Sequence, residues 1–189
     1  MKKNSLFSVR SITLIGVLAA CVFVLTKFIS IPIPTPLGKT ALSLGNSMCI
    51  LASLLFGPLV GGLSAGIGNA LVDLSDPEWA SEFYITFINK FLMAYMAGLF
   101  MQKVKFLREE VRVWIAGLCG AVTYVVLHIS KNIIFILLNT VKEAQNETIL
   151  GILVTKLPVS LVNGVLAVIC GALLFFALRE PLRRAHIIK

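Results

Sequence analysis

The sequence predicts an all-α membrane protein, built as a bundle of six transmembrane helices with both termini cytoplasmic. The chain of 189 residues is 58% hydrophobic and only 14% charged, and its mean hydropathy is +0.93. Its apolar residues are gathered in six long runs, and about 17–25 apolar residues are enough to span the hydrocarbon core. Because backbone groups in lipid must bond within their own segment, these runs are expected to be helices.

The connections between the runs are short, so we expect a single domain over residues 1–189. The predicted spans cover residues 11–31, 40–56, 58–75, 83–101, 113–138 and 151–178. The first run is longer than the roughly 7–15 apolar residues of a cleaved signal peptide, so we expect it to be retained as a helix.

A proline-bearing segment, residues 30–39, follows the first span. Prolines at alternate positions exclude a helix and favour an extended backbone. The segment is nevertheless apolar, which is unusual for a simple outer connector. It could cover a pocket, with Ile33, Pro34 and Pro36 in that gating loop, or it could simply pack on the helix ends.

Spans 2 and 3 are separated by Gly57-Pro58. Span 3 then carries glycines at close spacing, which allow helix backbones to approach one another. It also contains Gly62-Leu63-Ser64-Ala65-Gly66, the G-x-S-x-G pattern of some hydrolases. That pattern requires a turn between a strand and a helix to expose the serine. Inside an apolar helix it does not indicate an enzyme.

The net charge of +8 reflects orientation in the membrane rather than binding to nucleic acid. Most basic residues lie before span 1, between spans 4 and 5, and after span 6, which a six-span arrangement places on one side. The acidic residues of the other connections lie opposite. This distribution follows the positive-inside rule and predicts a multi-pass protein of the bacterial plasma membrane with cytoplasmic termini.

Polar residues recur inside spans 4, 5 and 6 at helical spacing, so that each set follows one face of its helix. At about 1.5 Å per residue they lie in the outer half of the membrane or near its middle. The candidate ligand-binding residues are Tyr84, Thr86, Asn89, Lys90, Tyr124, His128, Lys131, Asn132, Lys156, Ser160 and Asn163. Together they predict a pocket open to the outside, although each alone could hold helices together.

The chemistry of these groups suits a neutral or anionic small molecule with several acceptor atoms. Apart from Asp73 near the rim, we expect no acidic residue in the pocket. Tyr84, Phe87 and Tyr124 could stack on a flat ring. His128 has no partners that complete a metal site, and no phosphate-binding loop for ATP occurs. We therefore expect no catalytic residues, no metal and no cofactor on this chain.

The run Leu44-Gly45-Asn46 through Leu54-Leu55-Phe56-Gly57-Pro58-Leu59-Val60-Gly61-Gly62 and the pattern Thr86-Phe-Ile-Asn-Lys90 carry a resemblance to a known family. With the six spans and the proline-bearing loop, the chain resembles the substrate-binding S components of energy-coupling factor (ECF) vitamin transporters. The resemblance covers nearly the whole chain and is strongest to the riboflavin-transporter-like branch.

The resemblance implies a high-affinity vitamin-binding subunit that docks on a shared transmembrane coupling subunit carrying two ATPase subunits. The family docks through small residues four apart on helix 1, usually two alanines. Here the pair reads Gly16-Val-Leu-Ala-Ala20, with glycine at the first position. After docking, the loaded bundle would topple in the membrane and release its substrate inside.

The substrate is left open by the sequence. The sequence as a whole most resembles S components for hydroxymethylpyrimidine or pyridoxine, while riboflavin and pantothenate stay possible substrates. The alternative from a different class is a membrane scaffold or assembly protein whose polar residues only join helices. Saturable stabilisation by a small molecule would distinguish the two.

Overall fold

The computed structural model describes residues 8–35, 38–77, 79–137 and 149–188. Within these residues the chain forms six α-helices, one short 3-10 helix and one two-stranded hairpin. In order they are α1 (Val9–Phe28), β1 (Ser30–Thr35), β2 (Gly38–Ser43), α2 (Gly45–Phe56), α3 (Pro58–Leu74), the 3-10 helix (Ala80–Glu82), α4 (Phe83–Lys103), α5 (Glu109–Leu137) and α6 (Ile149–Arg184).

Each predicted span corresponds to one helix, but α5 begins four residues before the predicted limit and α6 ends six residues after it, and the proline-bearing segment differs in kind. The predicted first span ended at residue 31 and the second began at residue 40, and both limits are wrong. Residues 30–35 and 38–43 pair as antiparallel strands instead. The expected extended backbone is therefore confirmed, and its pairing explains why α2 starts only at Gly45.

Four described helical segments are long and apolar enough to cross a membrane: Val9–Phe28, Ala80–Lys103, Glu109–Ile134 and Val154–Arg184. The helices Gly45–Phe56 and Pro58–Leu74 are shorter. At 1.5 Å per residue α2 is only about 18 Å long, less than the roughly 30 Å of the hydrocarbon core. The prediction of six apolar helices is confirmed, but α2 and α3 are shorter than the four candidate spans.

Small residues set the distances between helices, as the spacing of the glycines in span 3 predicted. A Cβ on Gly61 would lie 2.3 Å from the Cα atom of Ser53 in α2. A Cβ on Gly68 would lie 2.6 Å from the carbonyl oxygen of Ala19 in α1. Backbones that approach so closely leave no room for a side chain, so α3 packs directly against both neighbours.

Contacts between distant residues bring the basic segments to one end of the bundle. A guanidinium nitrogen of Arg10 donates to the carbonyl oxygen of Ile187 at 2.7 Å, and Arg179 forms an ion pair with Glu109 at 2.7 Å. The start of α1, the start of α5 and the end of α6 therefore lie together. At the opposite end, Lys27 donates to the carbonyl oxygen of Ser75 at 3.4 Å.

Candidate functional site

Lys90 of α4 connects three helices at the centre of the predicted site. Its ammonium group donates a hydrogen bond to the side-chain oxygen of Asn46 in α2. The same Nζ atom lies 4.4 Å from the ring centroid of Tyr124 in α5. The lysine is thus held inside the bundle by an amide oxygen and an aromatic face, both of them uncharged.

The face of α5 that begins at Tyr124 continues the site toward α6. The rings of Tyr124 and His128 stack with centroids 5.6 Å apart. One turn later, the amide of Asn132 donates to the carbonyl oxygen of His128 at 2.7 Å. The side-chain oxygen of Asn132 accepts a hydrogen bond from Lys156 of α6 at 3.2 Å. Asn132 therefore joins α5 to α6.

Two carboxylates border these lysines. Glu82, in the 3-10 helix before α4, forms a salt bridge with Lys131. Asp73, near the end of α3, accepts a hydrogen bond from Thr86 and interacts electrostatically with Lys90 and Lys131. The expectation that Asp73 would be the only acidic residue is wrong, because Glu82 is separated from Lys131 in sequence but lies beside it in the bundle.

These contacts define a polar cluster at the end of the bundle that holds the 3-10 helix. Its members are Asn46, Asp73, Glu82, Thr86, Lys90, Tyr124, His128, Lys131, Asn132 and Lys156. The structure thus brings together most of the binding residues that the sequence predicted on α4, α5 and α6, and adds Asn46 of α2 and Glu82 of the 3-10 helix. Within this group the lysines outnumber the carboxylates, so the cluster is suited to a neutral or anionic partner.

Besides Glu82, sequence reasoning missed Asn46. Its side chain is 3% exposed and belongs to the first turn of α2. An asparagine at the start of an apolar helix is a signal that could have identified it, because a buried amide needs partners. Asn46 belongs to the run Leu44-Gly45-Asn46 that carries the family resemblance, although the predicted binding residues do not include it.

Ser160 and Asn163 lie on α6, and each has a defined partner. The Ser160 hydroxyl donates to the carbonyl oxygen of Lys156 at 2.8 Å. The Asn163 side chain is 3% exposed and contacts the backbone of Ala41 and Ser43 in β2. Asn163 therefore connects α6 to the end of β2 that leads into α2. Ser43, the last residue of β2, lies three residues before Asn46 in the sequence.

Two predicted residues face other parts of the surface. Tyr84 is 53% exposed and lines an apolar groove of about 380 Å³ between α3 and α4. Asn89 lines a smaller groove of about 190 Å³ between α4 and α5, which it shares with Lys131. In the described part of the chain, neither Tyr84 nor Asn89 forms a hydrogen bond with Lys90.

The predicted docking residues lie on the outside of α1. Gly16 and Ala20 are exposed, whereas Leu18, Ala19 and Val22 are buried against the bundle. A Cβ on Gly16 would meet no atom within 4 Å. This pair of small residues is thus not used for packing within the described part of the chain.

The remaining predicted elements carry less information. Ile33 and Pro34 belong to β1, and Pro36 lies outside the described residues. Over the described ranges, no group of three His, Cys, Asp or Glu side chains could hold a metal ion. Ser64, the serine of the hydrolase-like pattern, is fully buried and donates to the carbonyl oxygen of Val60 within α3.

A family model and a solved structure each match most of the chain. The family model described as ECF-type riboflavin transporter, S component, matches residues 6–180. A solved structure of the S component of a bacterial ECF transporter superposes with a TM-score of 0.59, covering 92% of this chain and 97% of that one at 23% identity. That likeness shows a shared fold.

The curated relatives match over shorter stretches. A UPF0397 protein of Leuconostoc citreum is 44% identical over 72 residues, 38% of this chain and 37% of the relative. A UPF0397 protein of Lactiplantibacillus plantarum is 34% identical over 82 residues, 42% of this chain and 43% of the relative. An uncharacterized protein of Pyrococcus woesei is 47% identical over 60 residues, 31% of this chain and 39% of the relative. The matches therefore span about two fifths of the length of these relatives.

Proposed function

Because the chain belongs to the family of ECF-type riboflavin transporter S components, we propose that it captures one water-soluble vitamin or vitamin precursor at the outer face of the cell membrane. S components are the substrate-binding membrane subunits of vitamin importers. Transport itself would be driven by ATP hydrolysis on partner subunits, and this chain would supply recognition rather than catalysis.

The observation that carries this proposal is the polar cluster. A lysine at the centre of a membrane helix costs about 2.5–3.5 kcal/mol on insertion scales, and one nearer the helix end costs less because it can reach toward the interface. The cluster contains Lys90, Lys131 and Lys156, and two of these hydrogen-bond to neutral amides. A scaffold could join its helices at lower cost with small or neutral polar side chains. Retaining three ammonium groups at one level favours a site that uses them for binding.

The cluster also favours a class of substrate. Ammonium and amide groups donate hydrogen bonds to ring nitrogens, carbonyls, hydroxyls or a carboxylate. The Tyr124 ring, stacked on His128, offers a surface for a flat heteroaromatic ring. These features fit a compound of the hydroxymethylpyrimidine or pyridoxine type best. Riboflavin and pantothenate stay within the same chemistry.

Lysine contacts within the cluster imply how binding proceeds. Lys90 and Lys156 each donate to an amide oxygen of the bundle, Asn46 and Asn132. A compound that takes these donors must replace the amide oxygens or share the ammonium protons with them. Affinity then depends on how many acceptors the compound presents, because each replaced bond must be matched.

We propose that the cluster opens outward and that both termini are cytoplasmic. The supporting observation is that the basic starts of α1 and α5 and the basic end of α6 lie together. Cytoplasmic segments of membrane proteins carry such an excess of lysine and arginine. The polar cluster lies toward the opposite end, next to the hairpin and the 3-10 helix.

Docking on a shared transmembrane coupling subunit, which carries two ATPase subunits, is proposed for the outer face of α1. Its support is the exposure of Gly16 and Ala20 one turn apart, with no neighbour filling the space at Gly16. Small residues at this spacing let a second helix approach closely in a membrane.

One observation favours the alternative, a membrane scaffold or assembly protein. Most members of the cluster hydrogen-bond to another helix, as residues that only join helices would do. A scaffold of this kind has no reason to be stabilised by a vitamin, so ligand-dependent stability separates the two functions.

The test is a thermal-shift screen of the purified, detergent-solubilised chain against riboflavin, pyridoxine, hydroxymethylpyrimidine, pantothenate and other water-soluble vitamins. At one hundred times its dissociation constant a compound stabilises the folded state by about 2.7 kcal/mol. We expect one compound to raise the melting temperature in a saturable way. A flat response across the panel from demonstrably folded protein would favour the scaffold.

A further inference from the structure

The hairpin has a register that determines which backbone groups face outward. Ser30, Pro32 and Pro34 of β1 pair with Ser43, Ala41 and Lys39 of β2. Backbone groups of successive residues point to opposite edges of a strand, and proline has no N–H to donate. The prolines therefore occupy positions where the ladder needs no donor from β1. Consequently Ala41 and Ser43 direct their own N–H and C=O groups away from β1.

These outward groups meet one side chain of α6. The amide nitrogen of Asn163 donates to the carbonyl oxygen of Ala41 at 2.8 Å. The amide oxygen of Asn163 accepts from the backbone N–H of Ser43 at 2.9 Å. A carbonyl and an N–H two residues apart on one edge are what a single residue of a parallel third strand would satisfy. The side-chain amide of Asn163 thus takes the place of the backbone N–H and C=O of one residue in a third strand.

Burial makes this arrangement costly to lose. Asn163 is 3% exposed, so water does not readily replace either hydrogen bond. Removing the amide would leave a half-buried donor on Ser43 and a half-buried acceptor on Ala41 without their partner, and a polar group shielded from water is costly to leave unpaired. Lys156 lies seven residues earlier on the same face of α6, so one helix carries both a member of the polar cluster and the anchor of the hairpin.

We propose that Asn163 is a positioning residue that fixes β2 to α6 and so sets the position of the hairpin beside the polar cluster. Its importance for substrate capture rests on the proposed function, whereas the anchoring itself does not. Asn163 then acts through the backbone of the hairpin, and movement of the hairpin relative to α6 requires that both of its hydrogen bonds break.

The experiment is residue-resolved hydrogen–deuterium exchange on the full chain in detergent, with no vitamin added. In the wild-type protein the Ser43 amide should be protected to the same degree as the Leu42 amide. In Asn163→Leu, which keeps a side chain of similar size, exchange at Ser43 should be about tenfold faster or more. Amides in the middle of α3 and α4 should exchange as in the wild type.

Asn69→Leu is the matched control. Asn69 is also 3% exposed, but it donates to Ala65 and Cys49 and does not contact the hairpin. It should leave exchange at Ser43 unchanged. Equal exchange at Ser43 in Asn163→Leu and the wild type would overturn the proposal, as would acceleration spread evenly over all helices. If Asn163→Leu does not fold, an unprotected Ser43 amide in the wild type refutes the anchor by itself. Because no vitamin is present, failure here is separable from failure of the proposed function.

Discussion

Replacing Lys90 with methionine should weaken binding while leaving the fold nearly as stable as before. The change removes the hydrogen bond to Asn46 and the contact with the Tyr124 ring, 4.4 Å from the ammonium nitrogen. A hydrogen bond to a charged group contributes about 1.5–3 kcal/mol, and a cation–π contact about 0.5–2 kcal/mol. Removing the ammonium group also relieves an insertion cost of about 2.5–3.5 kcal/mol.

The opposing contributions are of similar size, so they nearly cancel in the free energy of unfolding. We expect Lys90→Met to change that free energy by less than about 3 kcal/mol. Binding has no such compensation if Lys90 donates to the captured compound. Loss of about 1.5–3 kcal/mol raises the dissociation constant roughly 10- to 150-fold. Melting curves and isothermal titration calorimetry with the compound identified in the screen measure the two quantities on the same sample.

Lys27→Met is the matched control for this prediction. Lys27 contacts the carbonyl oxygen of Ser75 at the same end of the bundle but is not a member of the polar cluster. It should bind the compound with the wild-type dissociation constant. The reasoning is refuted if Lys90→Met binds as tightly as the wild type while its melting temperature falls by many degrees, since Lys90 would then serve only to join helices.

Three further predictions concern other parts of the bundle. Asn132→Ala, which removes the acceptor 3.2 Å from Lys156, should raise the dissociation constant about tenfold; calorimetry showing no change would exclude Asn132 from the site. Gly61→Ala should lower the unfolding free energy by about 1–3 kcal/mol, because its Cβ would lie 2.3 Å from the Cα of Ser53. Gly16→Ala is the control, since a Cβ at Gly16 would meet no atom within 4 Å, and this variant should melt at or slightly above the wild-type temperature. Gly16→Leu should bind the compound normally but co-purify poorly with the coupling subunit and ATPases; undiminished co-purification would remove docking from this face of α1.

The helices were predictable because their signal is local. An apolar run bounded by glycine, proline or charge is enough to locate α3, α4, α5 and α6 within a few residues. The hairpin was not predictable, because the pairing of residues 30–35 with residues 38–43 depends on contacts between two separate segments. The prolines revealed that the segment is extended but not that it pairs.

The depth of the site along the helices was predictable from the sequence. The direction in which each side chain faces was only partly predictable. Helical spacing indicated that Lys90, His128 and Asn132 would lie at similar depth, and they do belong to one cluster. Tyr84 instead lines an apolar groove between α3 and α4. Because α4 is apolar on most of its surface, its sequence gives no strong signal for its inner face. The partner of Lys90 was beyond sequence reasoning, since Asn46 lies 44 residues away along the chain.

The prolines of β1 have a consequence for how the chain behaves among its copies. A free strand edge offers unpaired donors and acceptors to any passing strand and so promotes self-association. Pro32 and Pro34 fall on the edge of β1 that faces away from β2, and this edge has no N–H at either position. An incoming strand would find carbonyls there without the donors that complete a ladder. The hairpin can therefore lie at the end of a bundle, in crowded membranes, without recruiting a second copy of itself into a shared sheet.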